Sequence, residues 1–274
     1  MLFGIIGGDR RQEELLALLR RDGYTVAACG VAGEMDWDAA VAAEVVILPL
    51  PLCKEGDTLN IEGPRRGAGA LFRQLRRDQL ILAGQVKPAQ AALAAELDLK
   101  LVDYFQREEL TVANAAATAE GTVQVILEHL ERSLLGSQCL VLGFGRIGKL
   151  LARKLRVLGA DVTVSARKAQ DLELARILGF RRIKTGNWAG ALAQYDGIVN
   201  TVPAPVVIPE HLQSIRKDCA LLELASLPGG FCTEAQALPG YLAARGLPGQ
   251  YAPESAAAII RSAIFRSLNQ EEAS

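Results

Sequence analysis

Two doubly wound parallel sheets, an α/β architecture in two domains, are what the sequence predicts, and three observations carry the prediction. Short apolar runs alternate with amphipathic stretches along the chain, the pattern of strands crossing over through helices. One such run, Cys139 to Leu142, leads directly into Gly143-Phe144-Gly145-Arg146-Ile147-Gly148. A length of 274 residues leaves room for two medium domains.

Taken in order, Leu2 to Ile6 reads as a strand that ends in Gly7-Gly8-Asp9. A helix with Leu15, Leu16, Leu18 and Leu19 on its inner side follows, and Gly23 stops it. Tyr24 to Cys29 and Glu44 to Leu48 are strands, and residues 67 to 77 form a cationic helix. Leu80 to Ala83 is a strand, Pro88 to Leu97 a helix and Lys100 to Asp103 a strand. Thr118 to Leu134 carries Val123, Ile126, Leu127, Leu130 and Leu134 at helical spacing and is expected to bridge the domains. Beyond it come helix Lys149 to Leu158, strand Asp161 to Ser165, helix Asp171 to Leu178 and a short strand at Arg181 to Lys184. Helix Trp188 to Gln194 and strands Gly197 to Asn200 and Cys219 to Leu224 complete the second sheet. Pro253 opens a last helix that packs back toward the first domain, and the tail from Glu271 is expected to fray. The expected boundaries are 1–117 for a Rossmann-like substrate domain, 118–135 for the bridging helix, 136–252 for a Rossmann dinucleotide-binding domain and 253–274 for the returning helix.

The glycine motif carries the chemistry. Gly143 allows the tight turn out of the strand, Gly145 lets the backbone approach a diphosphate, and Gly148 lets the helix lie close on the sheet. Phe144, Arg146 and Ile147 fill the positions between them. The next strand discriminates between dinucleotides: an NAD site carries an acid at its tip, whereas Ser165-Ala166-Arg167-Lys168 offers a hydroxyl and two cations. That pattern favours NADP, with solvated loop charges as the plain alternative. Asn200-Thr201-Val202-Pro203 lies at the carboxyl end of a later strand, where open α/β sheets place ligands, although a turn role explains the polar pair as well. The Ser226 turn, Ser226-Leu227-Pro228-Gly229-Gly230, ends the following strand.

Composition excludes several classes. A formal charge of −1 gives no basic field for nucleic acid or anionic lipid. The five cysteines lack a C-x-x-C pair and lie mostly in strand-like runs, which predicts buried thiols in a reducing cytoplasm rather than disulfides or a metal. Two histidines, His129 and His211, leave little for a zinc site or an acid–base histidine. The amino terminus lacks the basic region of a signal peptide, and Val45 to Leu52 is too short to span a bilayer.

Ile6-Gly7-Gly8-Asp9, Arg11-Gln12, Thr118 with Glu120-Gly121-Thr122, Gly143-Phe144-Gly145-Arg146, Asn200-Thr201 with Pro203, and Ala225-Ser226 with Pro228-Gly229-Gly230 together resemble the A subunit of dipicolinate synthase, over essentially the whole chain. Leu227 stands where that family suggests a basic residue, and Ala116-Ala117 where it suggests Ile-Pro. The resemblance implies NADP-dependent oxidation of dihydrodipicolinate to dipicolinate in the mother-cell cytoplasm of a sporulating bacterium. It implies a partner, the flavoprotein-like B subunit of the synthase, and a homo-oligomer is expected. Such a dicarboxylate calls for a planar cation, so Arg11 is the expected anchor with Thr118 and Ser226 beside it, unless Arg11 is an ordinary surface arginine. Glu120 or Asn114 is expected to take the proton or order a water; a helix-dipole role accounts for Glu120 equally. Oxidation of another small carboxylic acid, or nucleotide binding without catalysis in the service of a partner, remain the alternatives. The substrate is expected at the carboxyl ends of the strands, in a cleft between the domains.

Overall fold

The computed structural model describes residues 1–188 and 190–271, and the end of the chain expected to fray lies mostly outside them. The chain divides into two compact units, Met1–Asn114 with the segment from Pro248 onward, and Ala115–Leu247.

The first unit comprises β1 (Leu2–Ile6), α1 (Arg10–Arg21), β2 (Thr25–Val31), β3 (Glu34–Met35), α2 (Trp37–Ala42), β4 (Val45–Ile47), β5 (Cys53–Glu55), β6 (Thr58–Leu59), α3 (Ala68–Phe72), β7 (Leu80–Ala83), α4 (Pro88–Glu96) and β8 (Lys100–Asp103). The sheet order is β3-β2-β1-β4-β7-β8, parallel except for the β3 edge, with β5 and β6 a separate hairpin. The strands are apolar on both faces because helices cover both. Asp9 caps α1 by accepting from the Arg11 N–H, and Gln12 Oε1 accepts from the Asp9 N–H, a reciprocal cap contributing about 1 kcal/mol. The last helix, α10 (Pro253–Glu271), lays Ala257, Ile260, Ile264 and Leu268 into the same core as Leu15, Leu16 and Leu19. The Phe265 ring lies 5.4 Å from that of Tyr24, tilted by 41°, and Arg261 pairs with Asp22 at 2.6 Å.

The helix α5 runs Glu108–His129. It starts ten residues before the expected Thr118, because the alanine-rich stretch Ala113 to Ala119 favours helix by propensity while showing little periodicity. The second unit continues with β9 (Gln138–Leu142), α6 (Arg146–Val157), β10 (Asp161–Ala166), α7 (Ala169–Ile177), β11 (Arg181–Lys184), β12 (Gly197–Asn200), α8 (Pro209–Leu212), β13 (Ala220–Glu223), β14 (Tyr241–Ala243) and α9 (Leu247–Tyr251), before α10 returns to the first unit. All six strands are parallel in the order β11-β10-β9-β12-β13-β14, the 3-2-1-4-5-6 order of a dinucleotide-binding sheet.

Two expected helices shorten. The cationic stretch is helical only over Ala68–Phe72, since the buried Gln79 amide donates to the Val41 and Ala43 carbonyls and draws the following chain into a turn. Among the described residues of the expected helix Trp188 to Gln194, Ala191–Gln194 is helical, as a short 3-10 turn, while the Trp188 indole donates to the Val206 carbonyl.

All five cysteines are free, and Cys29, Cys53, Cys139 and Cys219 are buried. Burial pushes the Cys219 thiol up to about 12, far from the reactive thiolate form. Under native conditions a thiol-titrating disulfide reagent is therefore expected to modify Cys232 alone, the half-buried one, with the rest reacting after denaturation.

Candidate functional site

The order of the second sheet reverses between β9 and β12, and a ligand in such a fold lies where the loops after those two strands part. Gly143 leaves β9 in the left-handed region at φ 97°, its N–H donating to the Ser165 carbonyl at 3.0 Å. A Cβ on Gly143 would sit 2.5 Å from Thr201 Oγ1, and one on Gly148 would collide with the Gly143 carbonyl oxygen. Both glycines are thus demanded by packing. Gly145 differs: nothing lies within 4 Å of where its Cβ would be. It is also the N-cap of α6 and brings no side chain to the cap, so no capping side chain takes up the first-turn N–H groups. A bare helix start beside an open glycine fits a diphosphate. The Phe144 side chain is buried edge-on against Phe180 at 6.1 Å, and Ile147 packs on the core, so these two act through backbone. Arg146 is exposed in the first turn.

Ser165 at the end of β10 is fully buried, and its hydroxyl is engaged with Thr185 Oγ1 at 2.7 Å. That corrects the expectation of a hydroxyl offered to a ribose phosphate: Ser165 pairs in register with Ile183 of β11, and its hydroxyl is met by that of Thr185 just past this strand. Arg167 and Lys168 follow, both exposed, and neither is ion-paired among the described residues.

On the other side of the reversal, Asn200 is buried at the end of β12. Its Oδ1 accepts from the Val202 N–H, and its Nδ2 donates to the Val202 carbonyl, which fixes the loop leading to the exposed Pro203. Thr201 Oγ1 donates to the Leu142 carbonyl at 2.8 Å and so ties this loop to the end of β9. Asn200 Nδ2 also donates to Glu223 Oε1 at 2.7 Å. Glu223, 1 % exposed, was not singled out from sequence, where it is one acid in the apolar run Ala220 to Ala225. Its carboxylate accepts further from the N–H groups of Ala225, Gly230 and Phe231. Ser226 is exposed on the turn so held, its carbonyl accepting from the Gly229 N–H.

Glu120 is not in a first turn. It lies mid-helix in α5, 62 % exposed, and pairs with Lys154 of α6 at 2.8 Å. Twelve residues past the start of α5, Glu120 is too far from that terminus for the dipole reading, and the carboxylate expected to take a proton is engaged by Lys154. Asn114, half-buried, and Glu120 are six positions apart, which puts them on different faces of one helix. Thr118 is buried, its carbonyl accepting from the Thr122 hydroxyl. His129 Nδ1 faces the Val125 carbonyl, and His211 Nδ1 accepts from the Ile208 N–H, so both rings serve their own helices.

In the first unit the order reverses between β1 and β4, and Arg11 sits there. It is neither a surface arginine nor an open fork. Its side chain is 7 % exposed, Nε and Nη2 clasp the two oxygens of Asp9 at 2.8 and 2.7 Å, and Nη2 also donates to the Leu50 carbonyl in the loop after β4. The expected two-pronged grip on a substrate carboxylate is therefore taken up by Asp9. Burial alone would raise the Asp9 carboxyl, but hydrogen bonding and charge from Arg11 overcome it and hold the group below its usual value. Beside this pair, Gln12 Nε2 is the one buried side-chain polar atom without a hydrogen-bond partner among the described residues. Tyr104 is adjacent, its hydroxyl donating to the Leu48 carbonyl and its phenol pushed well up by burial.

Residues 2–105 match the family model for the N-terminal domain of the dipicolinate synthase A subunit. The A subunit of dipicolinate synthase from Bacillus subtilis (strain 168) is 27% identical over 287 aligned positions, covering 98% of this chain and 96% of that protein. The crystal structure of the dipicolinate synthase A chain from Bacillus subtilis superposes with a TM-score of 0.82 at 26% identity, covering 100% of this chain and 97% of that one. A transhydrogenase from Sinorhizobium meliloti shares the fold, with a TM-score of 0.71 at 16% identity over 99% of this chain and 94% of the other.

Proposed function

We propose that this chain, similar from end to end to the A subunit of dipicolinate synthase, oxidises dihydrodipicolinate to dipicolinate with NADP as hydride acceptor. An oxidoreductase-type subunit on the two-domain dehydrogenase plan is the frame for that reading. The observation that carries it is the glycine loop, whose one open glycine stands at an uncapped helix start beside strand ends with Arg167 and Lys168 on one side and Asn200 on the other.

NADP supplies a two-electron acceptor at the nicotinamide, and aromatisation of the dihydropyridine releases a proton to solvent or to a base. The chain's own task is to hold and orient. The Gly143–Gly148 loop takes the diphosphate on backbone N–H groups, and Arg167 and Lys168 face a ribose phosphate, with Ser165 bracing them from inside. The Asn200–Pro203 loop and the Ser226 turn flank the nicotinamide half. Arg11, stiffened by Asp9, presents its remaining Nη1 edge to one substrate carboxylate, with Gln12 as a second donor. Glu120 is left to the contact of α5 with α6; of the two expected acid–base candidates, Asn114 stays as one that orders a water, and Thr118 stays at the substrate. A partner in the B subunit of the synthase, a homo-oligomer and a mother-cell cytoplasmic setting belong to the same proposal.

The experiment supplies freshly made hydroxy-tetrahydrodipicolinate, which loses water to give dihydrodipicolinate, with NADP to the chain, alone and with a B subunit, and follows NADPH and the pyridine product together. Stoichiometric appearance of both supports the proposal; NADPH without pyridine, or neither with both subunits present, overturns it. Cofactor choice gives a separate expectation. Arg167→Ala weakens NADP by about 2 kcal/mol, the worth of a charge-assisted bond or two, and leaves NAD within experimental error. Equal losses measured by calorimetry would remove Arg167 from the phosphate.

A further inference from the structure

We propose that Glu223 is the positioning residue for the nicotinamide half of the site, a buried carboxylate that ties the loop after β12 to the turn after β13 and so sets both. This rests on the dinucleotide reading and names a residue that reading does not require. The geometry is specific. Oε1 accepts from Asn200 Nδ2 at 2.7 Å and from the Ala225 N–H at 2.9 Å, and Oε2 accepts from the N–H groups of Gly230 at 2.7 Å and Phe231 at 3.2 Å. All four partners donate, which suits a carboxylate and leaves no acceptor for a carboxyl proton.

The neighbours are shaped around it. Gly229 adopts φ 87°, and a Cβ there would lie 2.7 Å from Glu223 Oε2. A Cβ on Gly230 would strike the Asn200 amide. The Ser226 turn therefore closes directly on the Asn200–Glu223 pair, and Arg245 Nε holds the Ala225 carbonyl at 2.7 Å from the other side. Through Asn200 the same carboxylate reaches Val202, and Thr201 links that loop to Leu142 at the end of β9. Everything Glu223 touches lies on the β12–β13 side of the sheet reversal, whereas Ser165, Arg167 and Lys168 lie on the β10–β11 side. A dinucleotide spans that reversal, its adenosine half over one side and its nicotinamide half over the other. Glu223 thus acts on one half of the ligand only.

That asymmetry supplies the test. NADPH is titrated by its own fluorescence, and 2′-phospho-ADP-ribose, which lacks the nicotinamide, by calorimetry, with thermal melts alongside. The proteins are the full chain and its Glu223→Gln, Glu223→Asp and Asn200→Asp variants, with the Asn200→Asp/Glu223→Gln double variant. Glutamine keeps the shape but turns an N–H₂ toward two donors; aspartate keeps the charge but falls short by a methylene. For Glu223→Gln we expect NADPH to weaken about tenfold or more while 2′-phospho-ADP-ribose stays within about twofold, as the loss of two charge-assisted bonds confined to one loop pair requires. Asn200→Asp sets two carboxylates face to face and is expected to be worse than either Glu223 variant. In the double variant the amide introduced at position 223 can donate to the carboxylate introduced at position 200, and about half of the lost binding, on a logarithmic scale, is expected to return.

Equal weakening of both ligands, unchanged NADPH binding in Glu223→Gln, or no recovery in the double variant each overturns the assignment. If Glu223→Gln does not fold, Glu223→Asp and the Asn200 pair decide alone. A wild-type chain that binds neither ligand overturns the dinucleotide reading and this assignment with it, an outcome distinct from a variant that loses both.

Discussion

Gly145→Asp is expected to abolish NADP binding while the chain keeps its fold. The two halves of that statement have separate causes. Stability is spared because a Cβ at Gly145 meets no atom within 4 Å, and because its φ of −78° and ψ of −160° form an extended backbone that any residue adopts. Aspartate is, moreover, a good residue at an N-cap, where its oxygen accepts from the first-turn N–H groups. Binding is lost for the same reason. The carboxylate would occupy the N–H groups that a diphosphate needs and would set a like charge against it. Loss of those bonds with added repulsion amounts to about 4 kcal/mol or more, roughly a thousandfold in affinity. Calorimetry with NADP and a thermal melt on the same protein check both halves. Wild-type affinity in a folded Gly145→Asp chain would remove the diphosphate from this loop. Gly148→Ala makes the contrast: its Cβ collides with the Gly143 carbonyl, so it is expected to lower the melting temperature, whatever it does to binding.

The same contrast shows how far the site could be read from the chain alone. The turn out of β9 was legible because Gly143 and Gly148 answer to local geometry, and the strand before and helix after it are periodic. Arg167, Lys168, Asn200 and Thr201 were legible as polar residues at strand ends. Glu223 was not, although a lone carboxylate in the run Ala220 to Ala225 is a usable signal: burying an acid in a strand demands donors, and the Gly229-Gly230 turn just beyond supplies one of them. Ser165 shows the reverse error. Its position at the tip of β10 suggested a ligand contact, yet its hydroxyl is taken up by Thr185 just past the neighbouring strand. Glu120 misled because the start of α5 was hidden in alanines, which form helix without the large apolar residues that betray its period. Short elements such as β3, the β5–β6 hairpin and β14 leave no pattern long enough to recognise.

Arg11→Lys separates two roles that the structure gives to one side chain. Three of the five N–H donors of Arg11 serve Asp9 and the Leu50 carbonyl, joining the loops after β1 and β4. Lysine keeps the charge but cannot grip Asp9 on both oxygens and reach Leu50 as well. Since Asp9 is 41 % exposed, the broken pair is worth less than a fully buried one, about 2 kcal/mol, or a fall of about 5 °C in melting temperature. If Nη1 also holds a substrate carboxylate, kcat/KM falls in addition by about a hundredfold, the worth of one or two charge-assisted bonds, with NADP affinity unaltered. Asp9→Asn tells these effects apart. Asparagine retains the cap, its Oδ1 still accepting from the Arg11 N–H, but weakens the ion pair and leaves the guanidinium in place. Arg11 as a substrate anchor predicts that Asp9→Asn loses stability and keeps most of its kcat/KM, while Arg11→Lys loses both. Matching losses of stability in the two variants with intact kcat/KM in both would confine Arg11 to bracing the loops, and Gln12 Nε2 would then be the donor to test in its place.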